Sequence, residues 1–326
     1  MLKLLSFIFI YFFATSVISQ EIYKQKTYLM GSDFEITVVA NSKLDGEQDI
    51  QIAIEEISRI EALISSWDSN SETSRINQNA GIAPVKISEE LFMLIKRALQ
   101  ISTLTDGAFD ISYAAMDKIW KYDGSMKQMP SENAIKNSVA KVGYKSVMLD
   151  ENSTTVFLKN KGMKIGFGAI GKGYAADKAK KLLISKGSSG GIINASGDMN
   201  TWGTQPKGKE WQVAITNPLN KNRAFAILPI KDAVVTSGNY EKYVTFNATR
   251  FSHIIDPRNG YPSSGILSVT VFAPLAELAD ALATSVFVMG LETGLDRINQ
   301  LKGVECIIIT DTGSIKTSKN ITLNTQ

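Results

Sequence analysis

The sequence predicts an α+β fold in one domain, and three observations predict it. From residue 143 onward the chain breaks into short β-prone runs bounded by Gly, Asn or Asp. Long stretches between and before these runs repeat their apolar residues with helical spacing. Strands and helices do not alternate regularly, which argues against a doubly wound parallel sheet. The sequence has 326 residues, 44% of them apolar and 21% charged, enough for one large core.

The elements follow in order. Residues 35–40 alternate as a strand. Residues 49–64 carry apolar side chains at 50, 52, 54, 57, 60, 63 and 64, a helical stripe. The stretch 67–77 is polar and reads as a loop. Ser88 is placed to cap a helix over 89–104, with Glu89 and Glu90 in its first turn. Residues 118–130 read as a loop, and Ser131 as the cap of a short helix over 131–142. Strands are expected at 146–149, 155–158, 164–167, 191–194 and 212–215, interrupted by a helix over 170–186. Strands at 225–230, 244–246 and 266–272 follow, then helices over 275–289 and 291–302 and a strand over 304–310. No repeat, low-complexity tract or clean linker divides the chain.

Residues 1–19 read as an export signal. Lys3 gives a positive start, residues 4–14 are apolar apart from Ser6, and Ser19 is a small residue suited to cleavage before Gln20. The expected domain is therefore 20–326, in the periplasm. Attachment to the inner membrane follows if the segment stays uncut, so membrane association is at most peripheral or N-terminal. The net charge is +3, and losing Lys3 with the signal leaves +2. No Lys/Arg run reaches the density of a nucleic-acid patch, so nucleic acid is excluded as a partner. The single cysteine, Cys306, lies in an apolar strand-like run and reads as an inert buried thiol.

Chemistry concentrates in two places. His253, the only histidine, shares a turn with Asp256 and Arg258 in His253-Ile254-Ile255-Asp256-Pro257-Arg258-Asn259-Gly260. Asp280 and Thr284 are spaced i, i+4 and share one face of a helix; both are oxygen ligands suited to a hard cation. The segment Gly166-Phe167-Gly168-Ala169-Ile170-Gly171-Lys172-Gly173 matches G-x-G-x-x-G literally. It lacks the acidic residue about 20 positions on that dinucleotide binding needs, and has Gly173 where a P-loop needs Ser or Thr. Two readings stay open for it: a tight strand-to-helix turn, or backbone amides that approach an anion with Lys172 adding charge.

These motifs, with others in the same order, resemble the ApbE family of FAD:protein FMN transferases. The others are Met30-Gly31-Ser32, Trp67-Asp68, Ser71-Glu72 with Ser74-Arg75-Ile76-Asn77, Gly107-Ala108-Phe109-Asp110-Ile111-Ser112, Asn194-Ala195-Ser196-Gly197-Asp198 and Thr236-Ser237-Gly238-Asn239-Tyr240-Glu241. The chain departs from the family pattern at Gly166 and Asn239, where aspartate is common, and at Ser196, where glycine is. The resemblance implies a T-fold-related α+β domain with mixed, largely antiparallel sheets and flanking helices. It implies magnesium, with manganese as the alternative, held by Asp280, Thr284 and a backbone carbonyl near Ala169. Met30, Gly31, Asp110, Lys172, Asn194, Gly197, Asp198, Ser237 and Gly238 would lie at the FAD, which is the substrate. His253 would lie at the reacting phosphate or flavin end. The implied reaction moves FMN from FAD to a Ser or Thr hydroxyl of a target protein acting in trans and releases AMP. Two rivals share the same residues: a hydrolase using water as acceptor, and a flavin-binding protein without turnover. For Asp110, and for the Asp256–Arg258 pair, purely structural roles stay open beside the functional ones. Tyr174 and Trp67 read more readily as packing than as stacking partners of a ring.

Overall fold

A computed structural model describes residues 20–322 apart from 218, 219, 240, 241 and 248, so the expected signal lies outside the described residues. Strand β1 (Glu21–Leu29) turns through Met30 and Gly31 into β2 (Ser32–Ala40). Both turn residues have positive φ, 51° and 71°, the backbone that a two-residue hairpin of matching twist requires. Ser42 caps α1 (Lys43–Ile64) and Ser71 caps α2 (Glu72–Gln78), so the stretch expected to be a loop over 67–77 closes into a helical turn. Strand β3 (Val85–Lys86) precedes α3 (Glu89–Leu104), which starts at the predicted cap, Ser88. After α4 (Glu132–Ser138) come β4 (Val147–Asp150) and β5 (Thr155–Leu158), which form a small sheet with β3.

Helix α5 (Gly171–Ser185) leads into the hairpin β6 (Gly190–Ala195) and β7 (Asp198–Gly203). Next come the paired strands β8 (Trp211–Asn217) and β9 (Asn220–Ile230), then β10 (Ala233–Gly238) and the hairpin β11 (Tyr243–Phe246) and β12 (Thr249–Ser252). Strand β13 (Ile266–Ala273), helices α6 (Ala276–Met289) and α7 (Leu291–Asn299), and strands β14 (Glu305–Thr310) and β15 (Ile315–Thr317) complete the fold.

The main sheet has eight strands in the order β1-β2-β6-β7-β10-β13-β14-β15, with every pairing antiparallel. Side chains of a strand alternate between faces, and here both faces are covered. Val38 and Val235 join the core that contains α1, α5 and α6, whereas their neighbours Val39 and Val234 pack on Trp211, Val213, Ile215 and Ile230 of the β8–β9 ribbon. This explains why 36–40 are buried without interruption. Cys306 is fully buried in β14, as its apolar run suggested.

One predicted strand is corrected. Residues 164–167 form no strand; instead Asn77 of α2 brackets Ile165, accepting from its N–H at 2.8 Å and donating to its carbonyl at 3.0 Å. The glycine-rich segment therefore does not join a strand to a helix, and the strand–turn–helix context of a Rossmann or P-loop site is absent.

Candidate active site

The site is built around α5 and α6. Neither helix caps its own start: Ile170 and Leu275, at the N-cap positions, make no side-chain cap bond. Each helix instead receives a carboxylate from the other. Asp280 Oδ2 of α6 accepts from the Gly173 N–H of α5 at 3.3 Å. Asp177 of α5 accepts from the N–H groups of Ala276 and Glu277, at 2.9 and 2.8 Å, through its two oxygens. The initial N–H groups of a helix lack intrahelical partners, and negative charge there is favoured by the helix dipole.

The glycines of 166–173 serve close approach. None of Gly166, Gly168, Gly171 and Gly173 has positive φ. A Cβ at Gly173 would collide with the Ala276 carbonyl, one at Gly168 with the Tyr113 hydroxyl, one at Gly171 would stand 2.8 Å from Ile64, and one at Gly166 3.0 Å from Ala114. Neither reading left open, a tight strand-to-helix turn or an anion cradle, included this role: the glycines make room for neighbouring helices and side chains.

Around this start of α5 the structure gathers most of the residues singled out by sequence. Lys172 Nζ forms an ion pair with Asp198, which is buried at the first position of β7. The same ammonium partly offsets the burial that raises the Asp280 carboxyl above its ordinary pKa. Met30 reaches to the surroundings of Gly171. The β6–β7 turn uses Ser196 and Gly197 at φ 53° and 100°, and Asn194 Oδ1 holds it by accepting from the Gly197 N–H at 2.8 Å. Ser196 N–H donates to Asp33 O at 2.9 Å, which sets this turn beside the start of β2 and so beside the Met30–Gly31 turn. On the other side, Ser237 Oγ of β10 lies 3.5 Å from Thr284 Oγ1 of α6, both half-buried. Strand β10 pairs with β7 only through Ala233 and Val234, so Ser237 and Gly238 lie beyond the last residue pair that the two strands share.

The donor set fits a hard cation. Asp280 uses Oδ2 for the Gly173 amide, while no described donor occupies Oδ1. Thr284 and Ser237 add hydroxyl oxygens, and the half-buried residue Ala169 lies two positions before the first residue of α5. Among the described residues no group of three His, Cys, Asp or Glu side chains converges; Asp280 is the one carboxylate of this donor set, and hard cations accept hydroxyl and carbonyl oxygens beside a carboxylate.

Two predicted residues stand apart from this cluster. Asp110 is buried and its carboxylate is engaged in building a turn. Oδ1 accepts from Ser112 N at 2.7 Å and Ser112 Oγ at 2.6 Å, and Oδ2 from Tyr144 N at 2.7 Å. That turn carries Tyr113 onto Gly168 and lets the Ile111 carbonyl accept from Gly166 N–H at 2.9 Å, so Asp110 supports the glycine segment from behind. The cavity beside it, about 210 Å³, is lined by Asp106, Tyr144, Lys145 and Arg258 among others. His253 is exposed on the segment after β12. Its backbone N–H and its Nδ1 both lie near one carbonyl, Lys242 O, at 3.1 and 3.2 Å, and Tyr122 meets its ring edge-on at 6.4 Å. Surrounding protein lowers the imidazole pKa, the Lys242 carbonyl partly opposing that. Asp256 and Arg258 form an ion pair within their turn, and it is bidentate, at 2.8 and 2.7 Å.

Tyr174 is buried, and its hydroxyl donates to Glu90 at 2.9 Å, which makes it packing. Trp67 is 85% exposed with Lys118 Nζ 5.1 Å from its ring centroid. Sequence reasoning did not single out Tyr113, or the ion pair of Arg97 with Glu277 that ties α3 to α6. Nor did it single out Asp177. A polar residue among the buried alanines 175, 176 and 179 was the available signal.

Fold and site together define an α+β protein whose oxygen-rich site sits where two helix starts meet an antiparallel sheet. The chain belongs to the ApbE family, whose model matches residues 30–308. A FAD:protein FMN transferase of Klebsiella pneumoniae is 31% identical over 292 residues, covering 89% of this chain and 89% of that one. The FAD:protein FMN transferase of Treponema pallidum is 30% identical over 293 residues, covering 84% of this chain and 81% of its own. The crystal structure of the ApbE protein from Thermotoga maritima shares the fold with a TM-score of 0.82 and 31% identity, over 92% of this chain and 97% of that one.

Proposed function

We propose that this protein is a magnesium-dependent enzyme that transfers FMN from FAD to a Ser or Thr hydroxyl of a separate target protein and releases AMP. The observation that carries the reading is the meeting of Asp280, Thr284, Ser237 and the Lys172–Asp198 pair at the start of α5, in a chain of this family. Asp280, Thr284 and the Ala169 carbonyl would hold the magnesium, and manganese would fit the same oxygens. When bound, the cation neutralises charge on the diphosphate and on the departing AMP.

The chain's own residues supply position and proton handling. Met30, Gly31, Asn194, Gly197, Asp198, Ser237 and Gly238 would line the FAD, with Asp110 bracing the turn behind the glycine segment. Lys172 presents a positive charge that Asp198 orients. In the reaction the acceptor oxygen bonds to the phosphorus of the FMN half, the bond from that phosphorus to the AMP oxygen breaks, and the hydroxyl proton passes to a base. His253 suits that role. A depressed pKa keeps it neutral at neutral pH, and an Nδ1–H donated to Lys242 O leaves Nε2 free to accept.

Export to the periplasm rests on residues 1–19 and belongs to the same proposal. The mass of the mature protein in a periplasmic fraction tests it. For the reaction, the purified protein is incubated with FAD and magnesium, with and without an acceptor protein. Covalent flavin on the acceptor together with AMP is the expected result. Free FMN and AMP regardless of acceptor would make the protein a hydrolase, and retained, intact FAD would make it a binder.

A further inference from the structure

Helices α5 and α6 are pinned to each other twice along facing sides. On α5 the pins are Gly173 and Asp177, four residues apart and therefore on one face; on α6 they are Ala276 with Glu277, and Asp280, again one turn apart. Asp280 belongs to one pin and is also a proposed metal ligand. The other pin, Asp177, touches none of the proposed metal donors. Its Oδ1 also accepts from Asn200 Nδ2 of β7 at 2.6 Å, and Asn200 Oδ1 in turn accepts from Lys180 Nζ at 3.0 Å. The carboxylate is thus oriented from the sheet, and it orients the start of α6.

We infer that Asp177 is a positioning residue of the metal site, fixing the offset between α5 and α6 and hence the spacing of the Ala169 carbonyl from Asp280 and Thr284. The inference rests on the magnesium reading above. Residue 169 lies just before α5, whereas Asp280 and Thr284 ride on α6 and Ser237 on the sheet. Ligand spacing therefore depends on how the two helix starts are registered. Gly173 permits contact with Ala276 but does not direct it; two hydrogen bonds from one carboxylate to consecutive amides do. With Asp177 removed, the Ala276 and Glu277 amides lose their partner, and the Gly173–Asp280 hydrogen bond and the Arg97–Glu277 ion pair are left to hold the start of α6. Support behind metal ligands commonly sets affinity in this way, at roughly 10–100-fold per supporting group.

The test uses the full-length mature protein and Mn2+ alone, read by the paramagnetic signal of the free ion, with Mg2+ half-saturation of FAD cleavage as a second readout. Asp177→Asn, which leaves a single acceptor for two amides, is expected to raise the Mn2+ Kd about tenfold. The Mg2+ half-saturation rises by a similar factor, while kcat at saturating Mg2+ is largely kept. Asn200→Ala, which frees the carboxylate but leaves both amide bonds, shifts both values the same way by less, and carries the test if the first variant does not fold. Val213→Ala, buried in β8 in the smaller core on the other face of the sheet, lowers Tm and leaves the Kd alone. Wild-type affinity in Asp177→Asn and Asn200→Ala, or an equal loss of affinity in Val213→Ala, overturns the inference. Asp280→Ala separates the two levels: if it binds Mn2+ like the wild type, the metal reading itself fails. If it loses binding while the Asp177 variant does not, only the positioning role is refuted.

Discussion

The two regions assigned chemistry in the proposed reaction are built in opposite ways. At the α5–α6 junction every side chain with a proposed metal or charge role is half-buried or buried and tied to another element, and helix spacing is set where backbone meets backbone. Around His253 the chain is looser: the ring is exposed and its hydrogen-bond geometry depends on one carbonyl, while the nearby Tyr122 hydroxyl is buried without a partner among the described residues. Charge neutralisation of a diphosphate gains most from groups that need no rearrangement. Receiving a hydroxyl from a second protein asks for an accessible base. The contrast matches those two demands.

The largest expected effect breaks the first region. Asp280→Ala removes the only carboxylate among the proposed metal donors. A bound cation contributes several kcal/mol to such a reaction, so FAD cleavage should fall about a thousandfold or more, measured as AMP release at saturating magnesium. Turnover within tenfold of the wild type would refute the assignment.

His253→Gln breaks the second region. Transfer to an acceptor should drop about a hundredfold, within the usual range for a lost general base, while Tm stays close to that of the wild type because the exposed ring anchors little. A Tm loss as large as a core mutation's would show that the histidine is structural. The pH profile sharpens the same point. Because neighbouring protein partly desolvates the imidazole and so lowers its pKa, the acid limb of transfer should fall below 6.5, the ordinary histidine value, with activity lost as pH drops through it. An acid limb above that value in the wild type, or one unchanged in the variant, contradicts the base role.

Gly173→Ala probes how rigid the junction is. Alanine would gain about 1 kcal/mol in helix propensity, but its Cβ meets the Ala276 carbonyl, and overpacking of this kind costs about 1–3 kcal/mol, occasionally more. The net result should be lower stability in a urea melt; a stabilised variant would mean that the helices can separate freely.

The smallest effect is on pH-dependent stability. Burial raises the Asp177 carboxyl to about 6, with the amides of Glu277 and Ala276 opposing the shift. The folded protein therefore takes up a proton near pH 6 that the unfolded chain leaves in water until its ordinary, lower pKa. Stability from this group rises as pH falls through 6 and levels off below the unfolded value. Comparing urea melts at pH 7 and pH 5, the wild type should gain more, or lose less, than Asp177→Asn.

Much of this was legible in the chain. Helix α3 and its Ser88 cap follow from apolar spacing and one hydroxyl, because an amphipathic helix against a core needs only local information. Asp280 and Thr284 were legible as a pair from their i, i+4 spacing. Strands β1, β7 and β10 were not. The edge strand β1 is mostly exposed and polar, and β7 buries Asn200 and Thr201, so neither shows the alternation that marks a strand. The glycines of 166–173 looked like a phosphate loop because glycine spacing alone does not reveal whether the missing Cβ makes room for a ligand or for another helix. The role of Asp177 was out of reach of local reading, since the amides it holds lie 99 and 100 residues further along.

Where the Gly173 α-carbon meets the Ala276 carbonyl, there is no side chain left to compress or to change rotamer. The gap between the two helices is therefore a stop made of non-bonded contact between two backbones. Repacking of the surrounding Ile, Val and Ala residues, whether by heat or by sequence drift, can alter how firmly the helices are pressed together but cannot bring them nearer. A helix spacing defined in this manner is insulated from most of the core that supports it.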